Sequence, residues 1–157
     1  MTNQAVKTIA ANRKARHDYI IEDTFEAGMV LTGSEIKSIR AGQVNLRDSY
    51  ATIREGELWL INTHIAAYKQ AGSQNHEPRR DRKLLMHRRE INRLTGKLMQ
   101  KGLTLVPLKI YLKYGRAKIE LGLGQGKKIH DKRQAMRERT DRRQMDRAVG
   151  RRQKGWE

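Results

Sequence analysis

Residues 103–126 read LTLVPLKIYLKYGRAKIELGLGQG, and this stretch decides the fold. Apolar and polar side chains alternate through it, which is the period of a strand with one buried face. Leu108, Ile110 and Leu112 fall on one face, and Lys109, Tyr111 and Lys113 on the other. Tyr114-Gly115 reads as a tight turn. Beyond it Ala117, Ile119, Leu121 and Leu123 share a face, opposite Arg116, Lys118 and Glu120. The result is a hairpin with an apolar side and a basic side. Pro107 has no N–H to give to a ladder, so it marks a strand start, an edge or a bulge.

Working outward, HDYIIEDTFEAGMVL (17–31) has the β-branched and aromatic content of a strand leading to a bend at Gly28. A short helix is predicted over 34–41, with Ser34 as cap and Gly42 as stop. Residues 45–68 read as strand, turn at Glu55-Gly56, strand. QAGSQNHEPRRDRK (70–83) lacks periodicity and is expected to be a mobile loop. In the following segment Leu84, Ile91, Leu94 and Leu98 form a helical stripe, with Gly96 a weak point and Gly102 a stop. Residues 1–16 are polar and basic, and an irregular arm is expected. Five or six strands with a few short helices predict a mainly β fold with α elements. A small closed, OB-fold-like β-barrel leaves no costly edges and suits a basic, partly aromatic β face.

Charge points to the partner. The chain of 157 residues carries 34 Lys+Arg against 17 Asp+Glu, a formal net charge of +17. Solubility needs a magnitude of about 2–8, so the excess calls for a polyanion, with nucleic acid ahead of an anionic membrane surface. Residues 127–157 hold twelve basic and five acidic residues, a denser excess than the rest. They contain few apolar residues, too few to offset the ordering entropy of a segment of that length. Residues 126–157 are therefore expected to be a basic tail, disordered in isolation and conditionally helical, attached to a nucleic-acid-binding core over 1–125. No apolar run is long enough to span a bilayer. The N-terminus has no continuous apolar stretch of the kind a signal peptide carries. These readings and the absence of Cys suit a reducing cytoplasm.

Chemistry is harder to find. Without Cys there is no thiolate metal site or thiol nucleophile, and His17, His64, His76, His87 and His130 lack metal-ligand spacing. Gly122, Gly124 and Gly126 before Lys127 only faintly resemble a phosphate loop and read as glycines ending a strand where the tail departs. No catalytic constellation, metal or cofactor is expected. In the tail, Gly126 permits a bend and Asp131 can start a helix. Met136, Met145 and Val149 give a thin apolar stripe. His130 either stacks on an exposed base or is filler, and Asp131 either caps or merely offsets charge. The residues alone leave both open.

Six segments, in order, carry a resemblance: NRKARHDY (12–19), FEAG (25–28), GSEIKSIRAG (33–42), NLRDSYA (45–51), RKLL (82–85) and GKKIHDKR (126–133). Together they resemble the bacterial SsrA-binding (small protein B) family, the partner of transfer-messenger RNA in trans-translation. The resemblance implies an OB barrel that binds the tRNA-like part of that RNA and delivers it to stalled ribosomes, where the nascent chain is tagged for degradation. It implies a tail that becomes helical in the empty mRNA channel. Glu26, Leu85 and Lys118 match positions tied in the family to RNA binding. The basic runs add Arg13, Lys14, Arg16, His17 and Lys83 to the expected RNA-binding set. Gly126, Lys127, Lys128, His130, Asp131, Lys132 and Arg133 match the segment that serves in the decoding centre. A monomer is expected, cytoplasmic and ribosome-associated, with no membrane partner. The runner-up is a general single-stranded nucleic-acid-binding OB protein, with Tyr111, Trp59 and Tyr50 as stacking candidates.

Overall fold

The computed structural model describes the backbone of residues 6–100 and 102–154, and their side chains except those of 128–134 and 148–154. The described chain runs β1 (Lys7–Ala11), α1 (Arg13–Asp18), β2 (Tyr19–Met29), α2 (Gly33–Arg40), β3 (Val44–Asn45) and β4 (Tyr50–Arg54). It continues as β5 (Glu57–Ile61), β6 (His64–Ile65), a 3-10 segment (Lys69–Gln74), β7 (Arg82–Leu85) and α3 (Arg88–Leu98). β8 (Leu103–Lys113), β9 (Arg116–Gly126) and α4 (Lys127–Lys154) complete it.

The alternation in 103–126 folds into the expected hairpin. β8 and β9 pair antiparallel from Leu103↔Gln125 to Lys113↔Arg116. Tyr114 (φ 53°) and Gly115 (φ 74°) supply the two positive φ angles that match a turn to the strands' twist. On its other edge β9 pairs with β2, from Tyr19↔Gly126 to Gly28↔Lys118. The seven-stranded sheet has the order β1-β8-β4-β5-β7-β2-β9, and β8 also pairs with β9. Neighbour relations thus pass from β8 through β4, β5, β7, β2 and β9 back to β8, with β1 added outside. A second, two-stranded sheet joins β3 and β6.

Pro107 is a bulge, one of the roles its missing donor allows. The β8–β9 register shifts between Pro107 and Lys109. On its other side β8 meets β4 at Leu105 before the bulge and β1 from Lys109 onward after it. The extra residue changes which side chains share a face. Leu105 and Ile110 both enter the main core with Leu58, Leu60, Leu84, Leu94, Ile119 and Leu121. Leu108, expected beside Ile110, instead packs with Val106 and Ala15 in a separate cluster under α1.

Gly122 and Gly124 lie within β9, not at its end, and their bareness seats that second cluster. A Cβ on Gly122 would stand 2.9 Å from Leu108 Cδ1, and one on Gly124 would stand 2.6 Å from the Ile20 carbonyl oxygen.

Other expectations need correction. Residues 7–16 are not an irregular arm: β1 extends the sheet and α1 begins at Arg13, while residues 1–5 lie outside the described residues. Asn12 fixes α1 by accepting from Ala15 N (3.1 Å) and donating to the carbonyls of Leu46 (3.2 Å) and Pro107 (2.9 Å). Gly28 is inside β2 and is no bend. The α2 cap is Thr32, not Ser34. The Thr32 hydroxyl accepts from Glu35 N, and the Glu35 carboxylate accepts in turn from Thr32 N at 2.9 Å. Leu84 belongs to β7, whose preceding loop is pinned rather than loose. α3 runs unbroken through Gly96. No helix among the described residues is long and apolar enough to cross a membrane.

Candidate nucleic-acid interface

Glu26, Leu85 and Lys118 lie far apart in sequence and meet in one groove. Gly28 of β2 is opposite Leu85 of β7 on one side and Lys118 of β9 on the other. A Cβ placed on Gly28 would stand 3.4 Å from Leu85 Cβ and 3.7 Å from Lys118 Nζ. Bare backbone is therefore the floor between an apolar wall and an ammonium group. The groove holds about 490 Å³, and Met86, His87 and Glu90 line its α3 side. Leu85 is 54% exposed, an apolar side chain left in solvent at a polar site. It stands on a strand, not on the helix expected for it.

Glu26 is held in place by two neighbours. Tyr111 donates its hydroxyl to Glu26 Oε2, and Lys113 Nζ lies 3.6 Å from Oε1. The Tyr111 hydrogen bond, with help from Lys113 and Lys118 and against the effect of partial burial, holds the carboxyl below the usual carboxylate range. Burial first, and then Glu26, push the Tyr111 phenol above its ordinary value. The phenol is thus a locked donor and the carboxylate a locked acceptor. Its remaining lone pairs can take an exocyclic amine or a 2′-hydroxyl. Tyr111, one of three aromatic residues expected to stack on bases, is 6% exposed with Lys109 Nζ 5.5 Å from its ring centre. Its sequence signal, an aromatic on a basic face, was visible; its hydrogen-bonding role needed β2 alongside.

The arginine run before β7 splits into different jobs. Arg80 and Arg82 are turned inward to Glu35, which is fully buried. Arg80 Nε donates to both Glu35 oxygens at 3.2 and 3.1 Å, and Arg82 also donates to the carbonyls of Thr63 (2.6 Å) and Pro78 (3.0 Å). Burial works against the Glu35 charge, yet bonds from Arg80, the Thr32 backbone and Arg82 hold its carboxyl below the usual range. His76 joins this pin by bonding the Ser34 hydroxyl and donating from Nε2 to the Ile65 carbonyl, each at 2.8 Å. Arg79 binds Asn62 at 2.9 Å. Lys83 points outward and pairs with Glu57 at 3.1 Å.

The basic residues of α1 sit elsewhere. Tyr19, which follows α1, pairs with Gly126, whereas the groove lies at the Gly28↔Lys118 end of the same ladder. The two ends are roughly 26 Å apart at the usual strand rise. Arg13, Arg16 and His17 are exposed, and His17 Nδ1 is 3.0 Å from Asp18. Lys14 pairs with Asp48 at 3.0 Å beside a separate hollow that includes Tyr50. Arg13, Lys14, Arg16 and His17 are thus grouped with the root of the tail rather than with Glu26, Leu85 and Lys118.

Gly126 ends β9, and α4 begins at once with exposed Lys127. The helix therefore starts ahead of Asp131, which lies outside its first turn. The side chains of Lys128, His130, Asp131, Lys132 and Arg133 lie outside the described residues. Met136 and Met145 are 67% and 69% exposed. Nine positions separate them, about two and a half turns, so these two face opposite ways, and the side chain of Val149, the third residue of the expected stripe, lies outside the described residues. Among the described residues no group of three or more His, Cys, Asp or Glu could hold a metal ion.

The chain has relatives among known proteins. The family model described as SmpB protein matches residues 9–151. The chain belongs to that family. An SsrA-binding protein of Acidothermus cellulolyticus is 59% identical over 149 residues, covering 95% of this chain and 94% of the relative. One from Roseiflexus castenholzii is 60% identical over 148 residues, covering 94% of each. A solved structure described as "tmRNA-SmpB: a journey to the center of the bacterial ribosome" is similar with a TM-score of 0.64 and 54% identity. That likeness covers 74% of this chain and 82% of the other.

Proposed function

We propose that this SmpB-family chain binds the tRNA-like domain of transfer-messenger RNA and delivers it to stalled ribosomes for trans-translation. The chain acts there as an RNA-binding protein, not an enzyme, in the cytoplasm and on the ribosome. The observation that carries the reading is the meeting of Glu26, Leu85 and Lys118 in one open groove. A cation, a fixed acceptor and an exposed apolar wall are the three contacts a folded RNA loop offers partners for. The ring of strand pairings supports a small closed barrel of the OB kind, on which such a groove is a rigid feature.

The core over 1–125 holds the RNA, and the tail over 126–157 serves the ribosome. The tail helix is conditional in this reading. Helix–helix or helix–sheet burial contributes nothing along its exposed described length, and its cations repel one another until RNA phosphates neutralise them. Gly126, Lys127, Lys128, His130, Asp131, Lys132 and Arg133 then dock in the decoding centre, with the helix in a channel that an intact message would occupy. Arg13, Lys14, Arg16 and His17, beside the tail root, add a second basic surface.

Competition binding tests the function. A tRNA-like RNA should displace labelled ligand far better than an unstructured oligomer of equal length, and Leu85→Ala or Lys118→Ala should weaken it. Equal competition by the unstructured oligomer would support general single-strand binding instead.

A further inference from the structure

We propose that Leu85 is a ridge between two nucleotide sites, and that the second, built by Arg88 over Gly56, takes a phosphate of the same RNA strand. The inference rests on the reading of the Glu26–Lys118 groove as an RNA site. On the other side of Leu85 lies a second groove of about 240 Å³, lined by Gly56, Glu57, Lys83, Leu85, Met86 and Arg88 among others. Leu85 and Met86 are walls of both grooves.

Arg88 is already set for a ligand. Its Nη1 donates to the Gly56 carbonyl at 3.1 Å. Gly56 has φ +75°, and a Cβ there would stand 3.0 Å from Arg88 Nη1. The bare turn thus lets the guanidinium rest against backbone. A guanidinium has five N–H donors. Among the described residues Arg88 makes that one bond, so the remaining donors are available to an anion, which a fork of this kind binds bidentately. Lys83 Nζ stands on the same groove, 3.1 Å from Glu57 Oε1. Both members of that pair are about half exposed, 40% and 47%, and such pairs are worth little, so a phosphate can replace Glu57 as the partner of Lys83. An RNA strand crossing Leu85 would place its phosphate against Arg88 and Lys83, and its neighbouring nucleotide against Lys118 and Glu26. The exposed leucine between them would meet sugar or base.

The test is a titration of the tRNA-like RNA at several salt concentrations with full-length wild type, Arg88→Ala, Arg88→Lys, Glu57→Gln and Lys118→Ala. Arg88→Ala is expected to weaken binding roughly tenfold and to reduce the salt slope by about one unit or less. Arg88→Lys should restore the slope but only part of the affinity, because it keeps the charge without the fork. Glu57→Gln should bind more tightly, a gain that damage to the fold would not produce. Wild-type affinity and slope in Arg88→Ala, with a loss in Lys118→Ala, overturns this inference and leaves the function standing. No loss in either variant overturns both. Weaker binding by Glu57→Gln also contradicts the second site.

Discussion

Tyr111 reaches across β9 to Glu26. The two residues stand on β8 and β2, strands that flank β9 on either side, and the phenol donates to Glu26 Oε2. Tyr111→Phe removes that donor and nothing else of size. The Glu26 carboxyl should then titrate closer to its ordinary value, seen in a carbon-detected NMR titration, and RNA affinity should fall although no cation is lost. Loss of a hydrogen bond to a charged group should cost about 1.5–3 kcal/mol of stability in urea unfolding. The sign with pH follows from both partners. Glu26 has a lowered value, so its contribution is present above the unfolded carboxylate value and is lost as pH falls through the folded one. Tyr111 has a raised value, so stability declines as pH rises past the ordinary phenol value of 10.0.

Glu35 is a structural anion, not a ligand group. Glu35→Gln leaves Arg80 and Arg82 facing a neutral amide inside the protein. Breaking a buried pair in this way should cost about 3–5 kcal/mol at neutral pH. The Glu35 carboxyl is lowered, so wild type holds its advantage above the ordinary carboxylate range and loses it as pH falls through the folded value. Urea unfolding at neutral and acid pH should show the two proteins converging in acid. A constant gap would contradict the assignment.

The two glycines near the end of β9 should behave differently. Gly124→Ala drives a Cβ onto the Ile20 backbone and should destabilise by about 1–3 kcal/mol. Gly126→Ala meets nothing within 4 Å and should fold normally. Thermal unfolding of both variants decides it.

What the chain disclosed by pattern and what it withheld divide along local and distant contacts. The β8–β9 hairpin, its Tyr114-Gly115 turn, the Glu55-Gly56 turn and α2 depend on neighbours in sequence, and their periodicity was legible. The bulge at Pro107 was among the roles its missing N–H allowed, but its effect on Leu108 was not, because one inserted residue inverts a face. β1 and α1 were missed since β1 is set by pairing with β8 and Asn12 acts through carbonyls at Leu46 and Pro107, all remote in sequence. The 70–83 loop looked loose because its order comes from Glu35, Ser34 and Ile65. For the site, resemblance named Glu26, Leu85 and Lys118. Composition could not separate Lys83, which faces solvent, from Arg82 beside it, which is fully buried.

The tail is expected to act after RNA binding. Replacing His130 by Ala, or Asp131-Lys132-Arg133 together by Ala, should leave affinity for the tRNA-like RNA near normal and block tag addition in a reconstituted translation assay. Truncation after Gly126 should behave in the same way. Normal tagging by the substituted proteins, or failure already at RNA binding, would contradict the division between core and tail.

The most direct measurement is recovery of the chain from growing bacterial cells, followed by sequencing of the RNA bound to it, for wild type and for Leu85→Ala combined with Lys118→Ala. One dominant species with a tRNA-like end is expected on wild type, strongly depleted on the double variant. A broad mixture of single-stranded RNAs on wild type, or the same dominant species undiminished on the variant, would contradict recognition of that RNA through the groove between β2, β7 and β9.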